Sequence, residues 1–440
     1  MSWLKKILPH EAKTGAKNKD DLIVSKKLKP EPITLETLQQ LFPVRNLGED
    51  ALASFVTEHQ SEVFGSGSVL FSQGGKEDFV IFLLEGKVLI ETDGGKDYII
   101  EGGTSEANFP LSSGKFQNAT AYAKSDIRVL RTSNRIMQWS NRNSDSSDIL
   151  AQINSRNLPE KLRHSNLFTS FQQSISDNEL EFPTLPDIAI KLRNAMRKDD
   201  IGVADAVKII QLDPIITAKL IQVANSPLYI AANPASSCQD AVNRIGLIAT
   251  RNLVTSISLK RFFSTKDPKL INRIQELWKN CLHIASLSFV LAKQTKAVDP
   301  DTAFLAGLVA NIGVIPFLSF VEQFPSEYYK EEDIDLAIPH VSGPVGSLIL
   351  KQWDFPEELV DIPNISENWY HDEGDDLNLG DIIVLAKLHS FIGTPKIAEM
   401  PPINSIPACG KLGDRALSPE NSLKILHDAK DQINLAMEIF

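Results

Sequence analysis

The sequence predicts a multidomain chain of α and β structure, a small β-roll followed by a larger all-α domain. Three observations carry that reading. Between about residues 60 and 132, short apolar runs are cut by glycine-rich turns: SVLFSQGG, DFVIFLLEGKVLIETDGG, DYIIEGG and NATAYAKSDIRVLRT. From about residue 160 onward the strand signals fade and long segments carry apolar residues at helical spacing. The length of 440 residues exceeds what a single core organises. The expected boundaries are a flexible basic tail at 1–35, the β-roll at 36–145, a linker helix at 146–164 and the helical domain at 165–440.

Residues 1–31 hold eight lysines against four acids, which suits a solvated tail. Its opening, MSWLKKILPHEAK, lacks the apolar stretch and small-residue cleavage site of a secretory signal. LETLQQLFPVRNLGEDALASFVTEH then has helical period ahead of the strands. Glu85-Gly86 and Asp93-Gly94-Gly95 sit where tight reversals are needed, with glycine supplying positive φ. The polar stretch WSNRNSDSSD (139–148) closes the β part. Beyond it, DPIITAKLIQVANSP reads as a helix with Asp213 as N-cap and Pro214 as first residue. Asn225 is expected in the left-handed C-cap conformation, with Pro227 as the stop.

A hydrophobic fraction of 42% and a charged fraction of 23% are ordinary for a globular chain. The net charge of −11 argues against nucleic acid as the main partner. Cys238, Cys281 and Cys409 give neither a disulfide framework nor metal-ligand spacing, which fits a cytoplasmic setting. Residues 303–321, AFLAGLVANIGVIPFLSFV, run nineteen positions without a charge. That is long enough to span a bilayer. Gly307, Asn311, Gly313, Pro316 and Ser319 interrupt it and no basic cluster flanks it, so a buried helix breaking near Pro316 is expected instead of a transmembrane segment. Residues 354–381 hold ten acids and no Lys or Arg, a natural docking face for a basic partner. No G-x-S-x-G elbow, P-loop or H-E-x-x-H occurs.

In the β part, GSVLFSQGGKEDFVIFLLEGKVLIE followed by ATAYAKSDIRVLRT resembles the cyclic-nucleotide-binding fold over roughly residues 40–145. In that family a glutamate binds the ribose hydroxyl, and an arginine just before an Ala-Thr pair binds the cyclic phosphate. Here the pair is Ala119-Thr120, Gln117 stands at the arginine position, and Asn108 falls where the glutamate would be. The resemblance makes Lys115, Gln117, Asn118, Ala119 and Thr120 the candidate ligand-binding residues, with Lys115 a replacement cation. A β-roll kept for dimerisation or docking is the competing reading.

The helical part carries LPDIAIKLRNAM, IIQLDPIITAKLIQVANSPLY, QDAVNRIGLIATRNLV, LWKNCLHIASLSFVLAK and FLAGLVANIGVIPF in that order. Over about 165–395 it resembles the HDOD domain, a relative of the metal-dependent HD phosphohydrolases. Asp213, Pro214, Asn225 and Ser226 are its signature residues, and capping gives them structural roles. HD enzymes hold divalent metals with His and Asp, which activate water for attack on phosphorus. At the positions the resemblance marks for those ligands stand Asn280, Ala310, Asn311, Ser342 and Lys387, and DIPNISENW contains no histidine. Alanine cannot ligate, asparagine ligates poorly and lysine repels a cation, so no metal, no cofactor and no catalysis are expected. Lys387 is expected to pair with an acid in the vacated cavity. His283, His340 and His389 fall near that pocket by order and are read as core or surface residues.

The resemblance implies a bacterial signal-transduction protein whose helical domain docks other signalling proteins. A cyclic-nucleotide-responsive switch using an altered pocket is the alternative, and a metal-dependent phosphohydrolase a third.

Overall fold

The computed structural model describes residues 28–133 and 149–412, together with scattered positions between 425 and 436. Within those spans, residues 43, 47–48, 77–78, 93–96, 112–116, 118, 155–157, 178, 198–200, 230–232 and 326–327 are not described. The first 27 residues, the Asp93-Gly94-Gly95 turn and the polar stretch 139–148 lie outside the described residues.

The β part contains α1 (Leu35–Gln40) and α2 (Glu49–Glu58), then β1 (Ser61–Phe64), β2 (Val69–Phe71), β3 (Phe79–Glu85), β4 (Lys87–Glu91), β5 (Tyr98–Glu101), β6 (Thr120–Ala123) and β7 (Ile127–Ser133). The strands form two antiparallel sheets, ordered β1-β7-β3 and β2-β6-β4-β5. Strand β3 is apolar along its length because both its faces are covered. Ile81 and Leu83 enter the core between the sheets, whereas Val80 and Phe82 pack under α1 and α2. Gly86, at φ +90°, makes the β3–β4 reversal, where a Cβ would sit 2.4 Å from the Asp126 carbonyl oxygen. The end of the expected tail is tied into this unit: Ile33 is buried, Pro32 bridges to Gln60, and Glu31 pairs with the buried Arg128.

The helical part begins at α3 (Ile149–Asn154) and a single turn at Glu160–Arg163. Ile153 and Leu162 are fully buried in the large core, so the stretch expected as a linker packs as part of the helical domain. Next come α4 (Asn166–Ser176), α5 (Asp187–Met196), α6 (Val203–Ile210), α7 (Pro214–Ala224), α8 (Cys238–Ile245) and α9 (Leu247–Leu259). Helices α5 to α9 enclose a small core of their own. The larger core is built by α10 (Pro268–Thr295), α11 (Pro300–Val309), α12 (Val314–Val321), α13 (Glu331–Gln352), α14 (Ile362–Ser366) and α15 (Leu379–Phe391).

The signature residues hold the small half together. Asp213 Oδ1 accepts from the Ile215 and Ile216 amides at 2.9 and 3.1 Å, and its other oxygen binds Arg261. Asn225 caps its helix at φ −97°, not in the left-handed region. The reason is its side chain, which exchanges two hydrogen bonds with the Ala235 backbone at 2.7 and 2.9 Å and thereby clamps the following loop. Ser226 is buried beside it.

The uncharged run forms α11 and α12, and 94% of its most apolar window is buried inside the bundle. The break falls at 310–313, ahead of Pro316. Pro316 sits in the first turn of α12, where a missing N–H costs nothing. Helix α11 lies so close to α10 that a Cβ on Gly307 would stand 2.6 Å from Ala285 Cα. A Cβ on Gly313 would stand 2.1 Å from the Ser342 carbonyl oxygen of α13. Gly307→Ala and Gly313→Ala are therefore each expected to destabilise the helical domain by roughly 1–3 kcal/mol, the usual cost of overpacking. Urea unfolding followed at 222 nm measures it, and a loss within error of zero at both sites contradicts the packing described.

Candidate functional site

The turn after α11 brings the positions marked for metal ligands to the centre of the large core. Ala310 is fully buried, and its carbonyl oxygen accepts from Ser366 Oγ at 3.3 Å. Asn311 is buried and hydrogen-bonds the Cys281 thiol of α10, whose pKa burial pushes up to about 12. Ser342 of α13 is buried, and its Oγ has no partner among the described residues. Lys387 reaches in from α15. Its Nζ donates to the Ser366 carbonyl and to Glu367 Oε1, both at 2.8 Å, and it stands 6.0 Å from the centre of the Trp369 ring. The lysine side chain is 9% exposed and the glutamate 22%.

Asn280 is not part of this arrangement. It is exposed on α10, and a turn of about 100° per residue carries Cys281 inward in its place. Of the nearby histidines, His389 is buried with Nδ1 2.7 Å from the Leu385 carbonyl oxygen, and burial lowers its pKa and that of His283.

The donors present do not suit a divalent cation. The pocket offers an alanine, an amide engaged with a thiol, a hydroxyl and an ammonium bound to the Glu367 carboxylate. Among the described residues no group of three or more His, Cys, Asp or Glu is arranged to hold a metal. Sequence reasoning missed Ser366, Glu367 and Cys281. Ser366 and Glu367 sit in the histidine-free DIPNISENW segment, and only the folded chain sets them opposite Lys387.

In the β-roll, Gln117 is buried and its backbone pairs with Gly74 and Gly75 at 2.8 and 2.9 Å. Its side-chain Oε1 is buried without a partner among the described residues. Ala119 lies in the core between the sheets, and Thr120 Oγ1 accepts from the Gln73 amide at 3.1 Å. Lys115 and Asn118 lie outside the described residues.

The two sites are connected. Phe42, which ends the α1 segment, donates its amide to the Asn108 carbonyl at 2.8 Å and packs on Phe109, with ring centres 5.8 Å apart. Its ring also meets Tyr370 at 5.8 Å. Tyr370 is 1% exposed although it belongs to the helical part by sequence, and burial raises its hydroxyl pKa. The adjoining Trp369 touches the cores of both parts and lies beside Lys387.

In this helical bundle the positions that the resemblance marks for metal ligands in the core hold Ala310, Asn311, Ser342 and Lys387. The profile of the HDOD family matches residues 182–368, and this part of the chain is an HDOD domain. A solved structure from Shewanella amazonensis SB2B, named as a candidate metal-dependent phosphohydrolase, is 26% identical with a TM-score of 0.52. The match covers 62% of this chain and 99% of that one. A cyclic-nucleotide-binding-like protein from Brucella abortus aligns with 24% of this chain and 94% of its own length, at 16% identity and a TM-score of 0.19. A protein of Treponema pallidum (strain Nichols) is 23% identical over 228 residues, which are 49% of this chain and 43% of that protein. The chain thus spans under half the length of that curated relative.

Breaking the Lys387–Glu367 pair from either side should have unequal costs. Glu367→Leu strands an almost fully buried ammonium and is expected to cost about 3 kcal/mol or more. Lys387→Met leaves a carboxylate that is one-fifth exposed and can recover water, so its expected cost is roughly half that. The double variant should recover most of the loss. Chemical denaturation of the four proteins as a double-mutant cycle tests this, and additive single losses would show that the two charges do not interact.

Proposed function

We propose that the chain is a non-catalytic bacterial signal-transduction protein, cytoplasmic in setting. Its HDOD domain serves as a docking scaffold for other signalling proteins, and its β-roll serves as the sensor or dimerisation unit. The observation that carries this reading is the Lys387–Glu367 ion pair, which puts a positive charge where a metal-dependent hydrolase needs acceptors for a cation. Thermal unfolding of the purified chain with Mn²⁺, Mg²⁺ and Zn²⁺ is expected to show no rise in midpoint. A ligand at a hundredfold excess over its Kd stabilises by about 2.7 kcal/mol, so a shift of several degrees with Mn²⁺ would favour a metal-dependent phosphohydrolase.

A second reading is favoured by one specific observation. Gln117 Oε1 in the β-roll is a buried acceptor with no donor among the described residues. On this reading the protein is a switch responding to a cyclic nucleotide through an altered pocket, and a midpoint shift with cAMP or cGMP supports it. Either reading needs the β-roll and the HDOD domain to communicate, and Tyr370 is their shared buried side chain. Tyr370→Ala is therefore expected to split one cooperative unfolding transition into two, read by calorimetry. A single transition in the variant would locate the coupling elsewhere.

A further inference from the structure

Among the described arginines, Arg128, Arg197, Arg261 and Arg273 each bind carboxylates, and Arg244 binds the carbonyl oxygens of Ala224 and Asn233. Arg193 on α5 differs. Its Nε and Nη1 are buried with no hydrogen-bond partner among the described residues, and its guanidinium carbon lies 5.6 Å from the centre of the Phe355 ring. Helix α9 packs against α5 and supplies Arg251, whose Nε and Nη2 reach only Asn252 Oδ1, at 3.3 and 3.2 Å. The two guanidinium charges act on each other, and burial lowers the pKa of both.

The carboxylates around them are otherwise engaged or open to water. Asp354 is bound to Arg197 and Glu358 is exposed. Asp299 caps α11, accepting from the Thr302 amide and hydroxyl at 2.8 and 2.7 Å. So two guanidinium groups from the small half face the 353–358 loop of the large half with no carboxylate among the described residues bonded to either. A half-buried cation without a hydrogen-bonded partner is costly, and a guanidinium makes its strongest bonds to oxyanions.

We propose that Arg193 and Arg251 form an oxyanion site at the seam between the two halves of the helical domain, taking a phosphate group as the free ion or a monoester. Two guanidinium groups on different helices call for acceptor oxygens in several directions, and the three or four oxygens of a tetrahedral phosphate, with their greater charge, supply more of them than the two coplanar oxygens of a carboxylate. Phe355 gives the site one apolar wall. The site shares no residue with the pocket around Lys387. Its occupant ties α5 and α9 to the 353–358 loop and so closes the seam.

The test is thermal unfolding of the full chain in a chloride buffer, titrated with inorganic phosphate, with phenyl phosphate and, at matched ionic strength, with acetate. The midpoint is expected to rise with one or both phosphate compounds and not with acetate. A rise with phosphate identifies the free ion, and a rise with phenyl phosphate alone identifies a monoester. Arg193→Met and Arg251→Met should each abolish the rise. In buffer without phosphate, Arg193→Met should unfold no lower than the wild type, because it removes an unpaired cation and keeps an apolar contact with Phe355. Should that variant not fold, Arg193→Lys serves, with a rise at least halved. No rise with either phosphate compound, an equal rise with acetate, or a rise unchanged in the Arg193 variant that folds overturns the proposal.

Discussion

The helical domain depends on two places where backbones touch because no side chain intervenes. At Gly307 the turn of α11 rests against Ala285 of α10, and at Gly313 the chain rests against Ser342 and Gly346 of α13. These contacts fix the 310–313 turn in the centre of the bundle, whichever side chains it carries. Dense packing makes such an arrangement discrete, since neither helix can drift outward without opening a void. The pocket is thus shaped by glycines and apolar helices, not by ligands. The architecture therefore holds with alanine, asparagine, serine and lysine at the positions that the resemblance marks for ligands.

Charge is used inside the molecule more than the composition suggests. The acidic run 354–381 has the composition of a solvated docking face, yet several of its members bind cations of the same chain. Asp354 holds Arg197, Glu367 holds Lys387, and Asp372 and Asp381 hold Lys411 at 3.2 and 3.1 Å. Asp381 is fully buried. Lys411 and Arg197 lie outside the run, and Lys387 lies just past its end. A count of charges within a window therefore misses all three. Glu357, Glu358, Glu373, Asp375 and Asp376 remain on the surface.

The Trp369-Tyr370 pair joins the two parts of the protein. Tyr370 enters the core beneath α1 and α2, and Trp369 lies against the lysine that fills the HD-like pocket. The segment of the β-roll at Asn108-Phe109 is one ring away from Tyr370, through Phe42. A side chain that is buried in one unit and covalently part of another is a close-packed contact between them.

The sequence by itself determined what depends on neighbours along the chain. The glycine-cut runs hold six of the seven strands among the described residues, all but β1, the Asp213-Pro214 pair starts a capped helix, and Gly86 makes its reversal. It also determined that Asn280, Ala310, Asn311, Ser342 and Lys387 are residue types that ligate a divalent cation poorly or not at all, since side-chain chemistry alone decides that. What required the tertiary structure was everything set by helix rotation and by long-range pairing. One residue of rotation turns Asn280 to solvent and Cys281 to Asn311. Asn225 takes an ordinary backbone conformation because its side chain is needed by Ala235, ten residues away. The break in the apolar run precedes Pro316, because close contacts at Gly313 place the turn before the proline. The partner of Lys387 stands twenty residues upstream, across a turn whose geometry exists only once α14 and α15 have packed.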